Sequence, residues 1–199
     1  MAQRATALPA RFRPLIRREQ IASRLATLAP EVYAAMAKRH RPIAVIVLQG
    51  AFVFAADLLR RLPSDFKIEV AFLRCESYGS ATRSSGRVLL LQDIEPDLDL
   101  RGRTVLLIDD ILDTGLTLGF LVDHLRKRGA GEIRSCVLLR RHLGAGAERI
   151  RPDFAGFEVG GEFVVGYGLD YESCYRNLPD LAALVTGPEP AVSPRKRRR

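Results

Sequence analysis

The stretch VLLIDDILDTGLT, residues 105–117, begins as a buried strand and ends as a polar turn that leads into a helix. Its first four residues are all apolar, which is typical of a strand covered on both faces of a parallel sheet. Asp109 and Asp110 follow at the carboxyl end of that strand, where open parallel sheets bind their ligands. The turn 113–117 then offers backbone N–H groups and hydroxyls at a helix N-terminus, which suits a phosphate.

The two halves of this stretch fit different chemical groups. Carboxylates repel a phosphate, so Asp109 and Asp110 suit sugar hydroxyls or a Mg²⁺ ion. Thr114 and Thr117 supply hydroxyls for the phosphate, and Gly115 lets the backbone approach it closely. A phosphate beside a diol describes a ribose 5-phosphate. Without the rest of the chain, a second interpretation is equally open, in which the aspartates are only turn and cap residues.

The rest of the chain alternates strand and helix patterns. Residues 43–48, IAVIVL, form another strand that is apolar on both faces, and residues 133–139 form a third. Apolar residues at helical spacing predict a helical region over 19–39, which Pro30 is expected to divide into two helices. A further helix is predicted over 118–128. These patterns indicate an α/β fold with a mainly parallel central sheet flanked by helices on both faces.

Residues 77–86, SYGSATRSSG, are polar and contain glycine, so they predict a long mobile loop between two strands. The main domain is expected to span 19–187. Within it, the N-terminal helices and residues 150–187 are expected to form a small hood. A basic arm, 1–18, precedes this domain, and a basic tail, 188–199, follows it.

The net charge of +8 is concentrated at the two ends of the chain. Residues 1–18 hold five arginines and no acid, and residues 195–199 add five more cations. The remaining 21 basic and 23 acidic residues give the body a net charge of −2, so binding to nucleic acid is not expected. The tail is expected to be solvated and disordered. The arm fits either an organellar transit peptide or an edge segment of the fold.

No apolar run approaches the ~20 residues of a membrane span, so no membrane partner and a cytoplasmic location are expected. Cys75, Cys136 and Cys174 are an odd number at wide spacings, and they contain no CxxC pair. The three histidines show no metal-ligand spacing. These patterns predict reduced thiols and no zinc site.

The stretch 105–117 resembles the signature of type I phosphoribosyltransferases, an acidic pair followed by a D-T-G-x-T turn. Four other segments are similar, in order and spacing, to the hypoxanthine/guanine phosphoribosyltransferase branch: LQGAFVFAADLLRRL, FLRCESYGSATRSSGRV, DFAGFEVG and FVVGYGLDYESCYRNLP. The resemblance covers roughly residues 43–184. The FVVGYGLDY segment is similar to members that use 6-oxopurines rather than orotate, uracil or adenine.

This resemblance implies an enzyme of purine salvage that works with Mg²⁺. It would transfer 5-phosphoribosyl from phosphoribosyl pyrophosphate to N9 of hypoxanthine or guanine and release pyrophosphate. The resemblance implies that the ribose and Mg²⁺ are bound by Asp109 and Asp110, the 5-phosphate by Asp113, Thr114, Gly115, Leu116 and Thr117, and the pyrophosphate by Gln49, Gly50 and Arg176. It likewise implies that the purine side is formed by Arg141, Phe163, Val164 and Asp170, with Asp170 also near the metal, and that the lid is anchored by Ser77 and Tyr78. By analogy, a homodimer or homotetramer is expected.

Within that set, Asp113 is the candidate proton acceptor for N7 of the purine, and Phe163 is expected to stack on the purine ring. Phe163 could alternatively be a core aromatic, and residues 77–86 an ordinary hairpin. A closing lid would keep water away from an oxocarbenium-like transition state.

Two positions depart from the family pattern. Gln49 stands where the family often has a lysine, in a turn that offers backbone N–H groups to pyrophosphate, often through a cis peptide. Arg141 stands where a lysine donates to the purine 6-oxo group, and an arginine is not a neutral replacement. Two other interpretations therefore stay open: a regulatory relative that binds nucleotides or RNA, and a phosphoribosyltransferase for another base.

Overall fold

The computed structural model describes residues 11–80, 83–142 and 150–185, with the backbone alone for 77–80 and 83–87. The predicted disordered tail, residues 1–10 of the arm and residues 81–82 of the predicted loop lie outside this part of the chain. In chain order the elements are β1 Phe12–Ile16, α1 Arg18–Met36, β2 Ile43–Leu48, α2 Phe52–Leu59, β3 Glu69–Ser80, β4 Arg83–Gln92, β5 Val105–Leu112, α3 Leu116–Lys127, β6 Ile133–Arg141, β7 Phe154–Val159, β8 Val164–Val165 and β9 Leu181–Leu184.

A six-stranded sheet in the order β4-β3-β2-β5-β6-β7 forms the centre of the molecule. Its neighbouring strands run parallel except for β3 and β4, which are antiparallel. The central strands β2 and β5 are buried on both faces because α1 and α2 pack on one face and α3 on the other. The predicted architecture, a mainly parallel sheet with helices on both faces, is confirmed.

Helix α1 continues through Pro30, which corrects the prediction of two helices. Proline removes the N–H that would bond to the carbonyl of Ala26, at a cost of roughly 3 kcal/mol. Six side chains buried on either side of Pro30 hold the helix against the sheet: Ile21, Leu25, Leu28, Ala29, Val32 and Met36. Each large one contributes about 1.5–3 kcal/mol, so their packing outweighs the missing hydrogen bond.

The hood is a three-stranded sheet in the order β1-β9-β8, and it differs from the expected arrangement. Strand β1, from the basic arm, pairs with β9, whereas helix α1 packs in the main core. Strand β7 extends the main sheet instead of joining the hood. Phe12 and Ile16 of β1 are buried. Since this burial holds β1 in place, the arm contributes an edge segment of the fold, one of the two interpretations of its sequence.

The predicted loop 77–86 also differs in the structure, because the backbones of β3 and β4 pair through most of it. The pairing runs from Ser77 opposite Val88 to Ser80 opposite Arg83, with an irregularity after Tyr78. Two strands satisfy each other's N–H and C=O groups whatever their side chains are. A polar, glycine-containing sequence therefore forms a hairpin arm here, which we define as residues 74–92.

Parallel pairing brings the carboxyl ends of β2, β5 and β6 to the same edge of the sheet, at Leu48, Leu112 and Arg141. The predicted site residues at positions 49–50, 109–117 and 141 follow these three strand ends or lie in them, whereas those at 163–176 lie around β8. Among the helices that the structure describes, none is long and apolar enough to cross a membrane.

Candidate active site

The turn between β5 and α3 has the geometry of an anion cradle. Gly115 adopts a left-handed conformation, with φ of 80°, immediately before the first residue of α3. A side chain would be strained there, so glycine is required by the turn. The Thr114 hydroxyl accepts a long hydrogen bond of 3.4 Å from the backbone N–H of Leu116. The first turn of a helix leaves N–H groups without partners inside the helix, and these face an incoming anion.

Two carboxylates lie just before this turn, at the end of β5. Asp109 is 7% exposed, and its Oδ1 accepts the backbone N–H of Asp110 at 2.9 Å. Asp110 Oδ1 in turn accepts the N–H of Ile111 at 2.7 Å. Burial raises the pKa of Asp109 well above its ordinary 3.8, and the neighbouring Asp110 raises it further. Burial also raises the pKa of Asp110, against the opposing effect of hydrogen bonds and of Arg176. A ligand cation or hydroxyl donor would relieve this pair.

We expect Asp109→Asn to stabilise the ligand-free protein at neutral pH. Because the folded pKa of Asp109 is raised, the folded chain keeps a proton that the unfolded chain releases above pH 3.8. The free energy of unfolding of the wild type therefore falls as the pH rises above that value. Asparagine does not titrate, so its variant does not lose this part of the free energy of unfolding. Each kcal/mol that is kept raises Tm by about 2–4 °C.

Thermal unfolding of both proteins between pH 5 and 8, without ligands, measures this effect. The gain in Tm should be larger at pH 7 than at pH 5. Equal Tm values of the two proteins at every pH would mean that burial does not raise the pKa of the Asp109 carboxyl group.

The turn after β2 lies directly against Asp110. A methyl group added to Gly50 would overlap the Asp110 carboxylate, and one added to Gly168 would overlap the carbonyl oxygen of Gly50. The Leu48–Gln49 peptide is cis. Glycines at these points thus bring the β2 turn, the end of β5 and the loop after β8 into contact.

Arg176 contacts two of the residues that were assigned to the pyrophosphate and metal side, Gln49 and Asp170, and also Gly168. Its Nη1 donates to the carbonyl oxygen of Gly168 at 2.7 Å, and its Nη2 pairs with Asp170 Oδ1 at 2.6 Å. Nη2 also donates to Gln49 Oε1 at 3.4 Å. Gln49 can accept this bond, whereas a lysine at that position would repel the guanidinium. The replacement of lysine therefore removes one positive charge and helps to orient another.

Arg141 and Asp113 meet on the other side of the cradle. Arg141 Nη1 donates to the carbonyl oxygens of Gly160 and Glu162, at 2.6 and 3.0 Å, and its Nε lies 3.2 Å from Asp113 Oδ1. Arg141 Nε is buried without a hydrogen-bond partner among the described atoms. The Asp113 side chain is 55% exposed and faces outward. A fixed cationic donor and an accessible carboxylate thus lie side by side.

Phe163 is half exposed, so it is not a core aromatic. Its ring meets the edge of Tyr171 at 5.7 Å between centroids and an interplanar angle of 84°. The side chain of Val164 is buried, which leaves its backbone as the part that a ligand could reach. The side chains of Ser77 and Tyr78 lie outside the described part, so their predicted role as lid anchors stays a prediction.

The carboxylates of the site meet part of what Mg²⁺ requires from a protein. No group of three or more His, Cys, Asp or Glu side chains suited to a metal occurs in the described ranges. Asp109 and Asp110 offer two carboxylates, while Asp170 is already paired with Arg176 and accepts the N–H of Ser173. Mg²⁺ commonly binds one or two carboxylates and completes its shell with water and substrate phosphates. The pair fits an ion that arrives with a phosphorylated substrate.

Two features near the site were not assigned from the sequence. Gly168 has φ of 105° and packs closely against the backbone of Gly50. Its position inside the FVVGYGLDY segment was the one sequence feature that could have indicated this contact. Cys75 lies near the carboxylate pair, and burial raises the pKa of its thiol to about 12, with a further contribution from Asp109 and Asp110. All three cysteines are free, in agreement with the predicted reduced thiols.

Comparisons with known proteins agree with this geometry. A family model described as the phosphoribosyl transferase domain matches residues 16–172. The hypoxanthine-guanine phosphoribosyltransferase of Bacillus subtilis is 42% identical over 178 residues, covering 89% of this chain and 93% of the relative. Its counterpart from Mycobacterium avium is 39% identical over 175 residues, covering 85% and 84%. A crystal structure of a hypoxanthine-guanine phosphoribosyltransferase from Bacillus anthracis superposes with a TM-score of 0.76 at 35% identity, covering 87% of this chain and 98% of that one.

Proposed function

The chain belongs to the phosphoribosyl transferase family, and from this premise we propose that it is a purine salvage enzyme of the hypoxanthine/guanine branch. It transfers the 5-phosphoribosyl group of phosphoribosyl pyrophosphate to N9 of hypoxanthine or guanine, which yields IMP or GMP and pyrophosphate. The observation that carries this proposal is the contact of Arg141 with Asp113, 3.2 Å apart, next to the half-exposed Phe163 and the cradle at Gly115.

The sugar phosphate is bound at the carboxyl end of β5. The N–H groups of the cradle and the hydroxyls of Thr114 and Thr117 bind the 5-phosphate. Asp109 and Asp110 accept hydrogen bonds from the two ribose hydroxyls and would hold Mg²⁺. When bound, that ion neutralises part of the negative charge of the phosphates.

The leaving pyrophosphate lies between the β2 turn and Arg176. As its bond to the ribose breaks, negative charge grows on the leaving oxygen while the sugar becomes oxocarbenium-like. Donors that are already in place stabilise this charge without reorganisation. Arg176 is held in place by Gly168, Asp170 and Gln49, so it is such a donor. The backbone N–H groups around Gly50 add further donors.

The purine lies between Phe163 and the β6 end of the sheet. Phe163 stacks on its ring, and the backbone of Val164 reads its edge. The Arg141 guanidinium donates to the 6-oxo group, which selects 6-oxopurines because adenine presents a donor at that position. Asp113 accepts the proton that N7 releases as N9 attacks the sugar. The hairpin arm, with Ser77 and Tyr78, closes over the site and excludes water.

We also expect a cytoplasmic homodimer or homotetramer. Large apolar side chains are exposed on the two antiparallel strands, Val70 and Phe72 on β3 and Leu89 and Leu91 on β4. A second subunit would remove this apolar surface from water.

A regulatory role in binding RNA is not favoured. It would rest on the basic ends, since the body carries a net charge of −2. The relatives that match over most of the chain bear enzyme names. If RNA were the ligand, affinity would fall steeply with salt and would be lost on deletion of residues 193–199.

The direct test of substrate class is pyrophosphate release from phosphoribosyl pyrophosphate with Mg²⁺ and one base at a time. We expect turnover with hypoxanthine or guanine and little or none with adenine, orotate or uracil. Turnover of adenine alone would overturn the proposed role of Arg141. If no base is turned over, the proposed phosphoribosyltransferase activity is wrong.

Arg141→Lys should preserve or raise kcat/KM for hypoxanthine. A lysine ammonium has three donors, enough for the carbonyl oxygens of Gly160 and Glu162 and for one 6-oxo group. Arg140→Lys is the matched control, because Arg140 is the neighbouring arginine of the same strand and pairs with Glu158. A collapse of hypoxanthine turnover in the Arg141 variant alone would mean that Arg141 does not occupy the 6-oxo donor position.

A further inference from the structure

The first described residue of the basic arm, Arg11, lies against three aromatic rings of the hood. Its guanidinium carbon is 5.4 Å from the ring centroid of Phe12, 5.2 Å from that of Tyr171 and 5.1 Å from that of Tyr175. It also donates a hydrogen bond to the Tyr175 hydroxyl. Guanidinium groups over aromatic faces are attracted by the ring quadrupoles. Arg11 therefore ties β1 to the loop after β8, where Tyr171 and Tyr175 lie.

The aromatic rings form a chain that ends at the purine site. Phe12 meets Tyr175 at 4.8 Å and Tyr171 at 6.4 Å between centroids, both edge to face. Tyr171 then meets Phe163 edge to face at 5.7 Å. Phe163 is half exposed, so its contact with the Tyr171 ring helps to hold a side chain that is partly open to solvent.

The backbone makes a second link between the arm and Phe163. The carbonyl oxygen of Arg11 accepts the N–H of Val185 at 2.8 Å, directly after β9. The N–H of Leu184, the preceding residue, donates to the carbonyl oxygen of Phe163 at 2.9 Å. The arm thus supports both the main chain and the ring of Phe163.

We propose that Arg11 is a positioning residue for purine binding, which acts by holding Tyr171 and Tyr175 so that the Phe163 ring is set to stack on the base. This inference rests on the proposed role of Phe163. A half-exposed ring without support would lose rotational freedom each time a base binds, and this loss weakens binding. A ring that is already held avoids that loss. The described contacts of Arg11 are with the rings that support Phe163 and not with the cradle 113–117, so we expect its loss to affect the base more than the sugar donor.

Steady-state kinetics of Arg11→Ala and Arg11→Lys test the proposal. We expect the alanine variant to raise KM for the base about three- to tenfold, with KM for phosphoribosyl pyrophosphate and kcat within about twofold of the wild type. Lysine keeps a cation over the rings and should restore most of the loss. Arg39→Ala is the control, since Arg39 pairs with Glu132 far from the hood.

A double-mutant cycle with Phe163→Ala separates positioning from a general structural role. If Arg11 acts through Phe163, Arg11→Ala should have no further effect on KM for the base once Phe163 is alanine. An additive effect would overturn the proposal, as would parallel increases in both KM values with a lower Tm. Tyr175→Phe, which removes only the hydroxyl, should reproduce a smaller rise in KM for the base. If the wild type turns over no base, the proposed function fails; if it does and Arg11→Ala keeps the wild-type KM, only this inference fails.

Discussion

Asp113→Asn is expected to lower kcat by about 10²–10⁴-fold, the usual contribution of a positioned acid–base group. Asparagine has the same shape as aspartate, and its oxygen can keep the contact with Arg141 Nε, 3.2 Å away in the wild type. It cannot accept the N7 proton of the purine. The N–H groups of the cradle are unchanged, so the Kd for phosphoribosyl pyrophosphate should move by less than about threefold.

Single-turnover kinetics and equilibrium binding of phosphoribosyl pyrophosphate measure the two effects separately. Asp123→Asn is the matched control, because Asp123 lies on α3 with a side chain that is 72% exposed. We expect wild-type kcat for the control. Equal losses of kcat and donor affinity in Asp113→Asn would show that the carboxylate binds the donor and does not handle a proton.

Gly50→Ala is expected to lower kcat/KM by about 10²-fold or more. The added methyl group would overlap Asp110 Oδ2, so either the carboxylate or the β2 turn must move. Both groups contact the ribosyl donor in the proposed complex. A displacement of about 1 Å in such groups is enough for a 10²-fold loss.

The control for this variant is Gly161→Ala. A methyl group on Gly161 would meet no atom of the described residues within 4 Å. Both variants should unfold cooperatively, and the control should keep the wild-type kcat/KM. Wild-type activity in Gly50→Ala would show that the contact between the β2 turn and Asp110 does not matter for catalysis.

The parallel sheet and the cradle could be predicted because their signals are local. Runs such as 43–48 and 105–108 are apolar on both faces, and only a doubly covered strand requires that pattern. The cradle could be predicted from Gly115 and its neighbours, because the left-handed conformation of the turn depends on one glycine. Tertiary packing overrode local rules elsewhere. Pro30 sits inside α1 because the apolar face around it is buried.

Contacts between distant segments could not be predicted. The resemblance placed Arg141 and Asp113 at the purine and Gln49 and Arg176 at the pyrophosphate. It did not predict the direct contacts within these two pairs, because long-range pairing depends on strand register. The arm is the clearest example. Its sequence left a transit peptide and an edge segment of the fold equally open, and neither interpretation placed Arg11 over aromatic rings. Two of the three rings, those of Tyr171 and Tyr175, are about 160 residues away in the chain. The motifs predicted roles for individual residues, whereas the contacts between those residues could be seen only in the folded structure.

In the proposed reaction, the chain couples release of pyrophosphate to nucleotide formation. The most direct measurement counts both products when phosphoribosyl pyrophosphate, Mg²⁺ and hypoxanthine are supplied together and when the base is left out. We expect one IMP for each pyrophosphate and almost no pyrophosphate without the base. Release of pyrophosphate at the same rate without the base, or without any IMP, would contradict it.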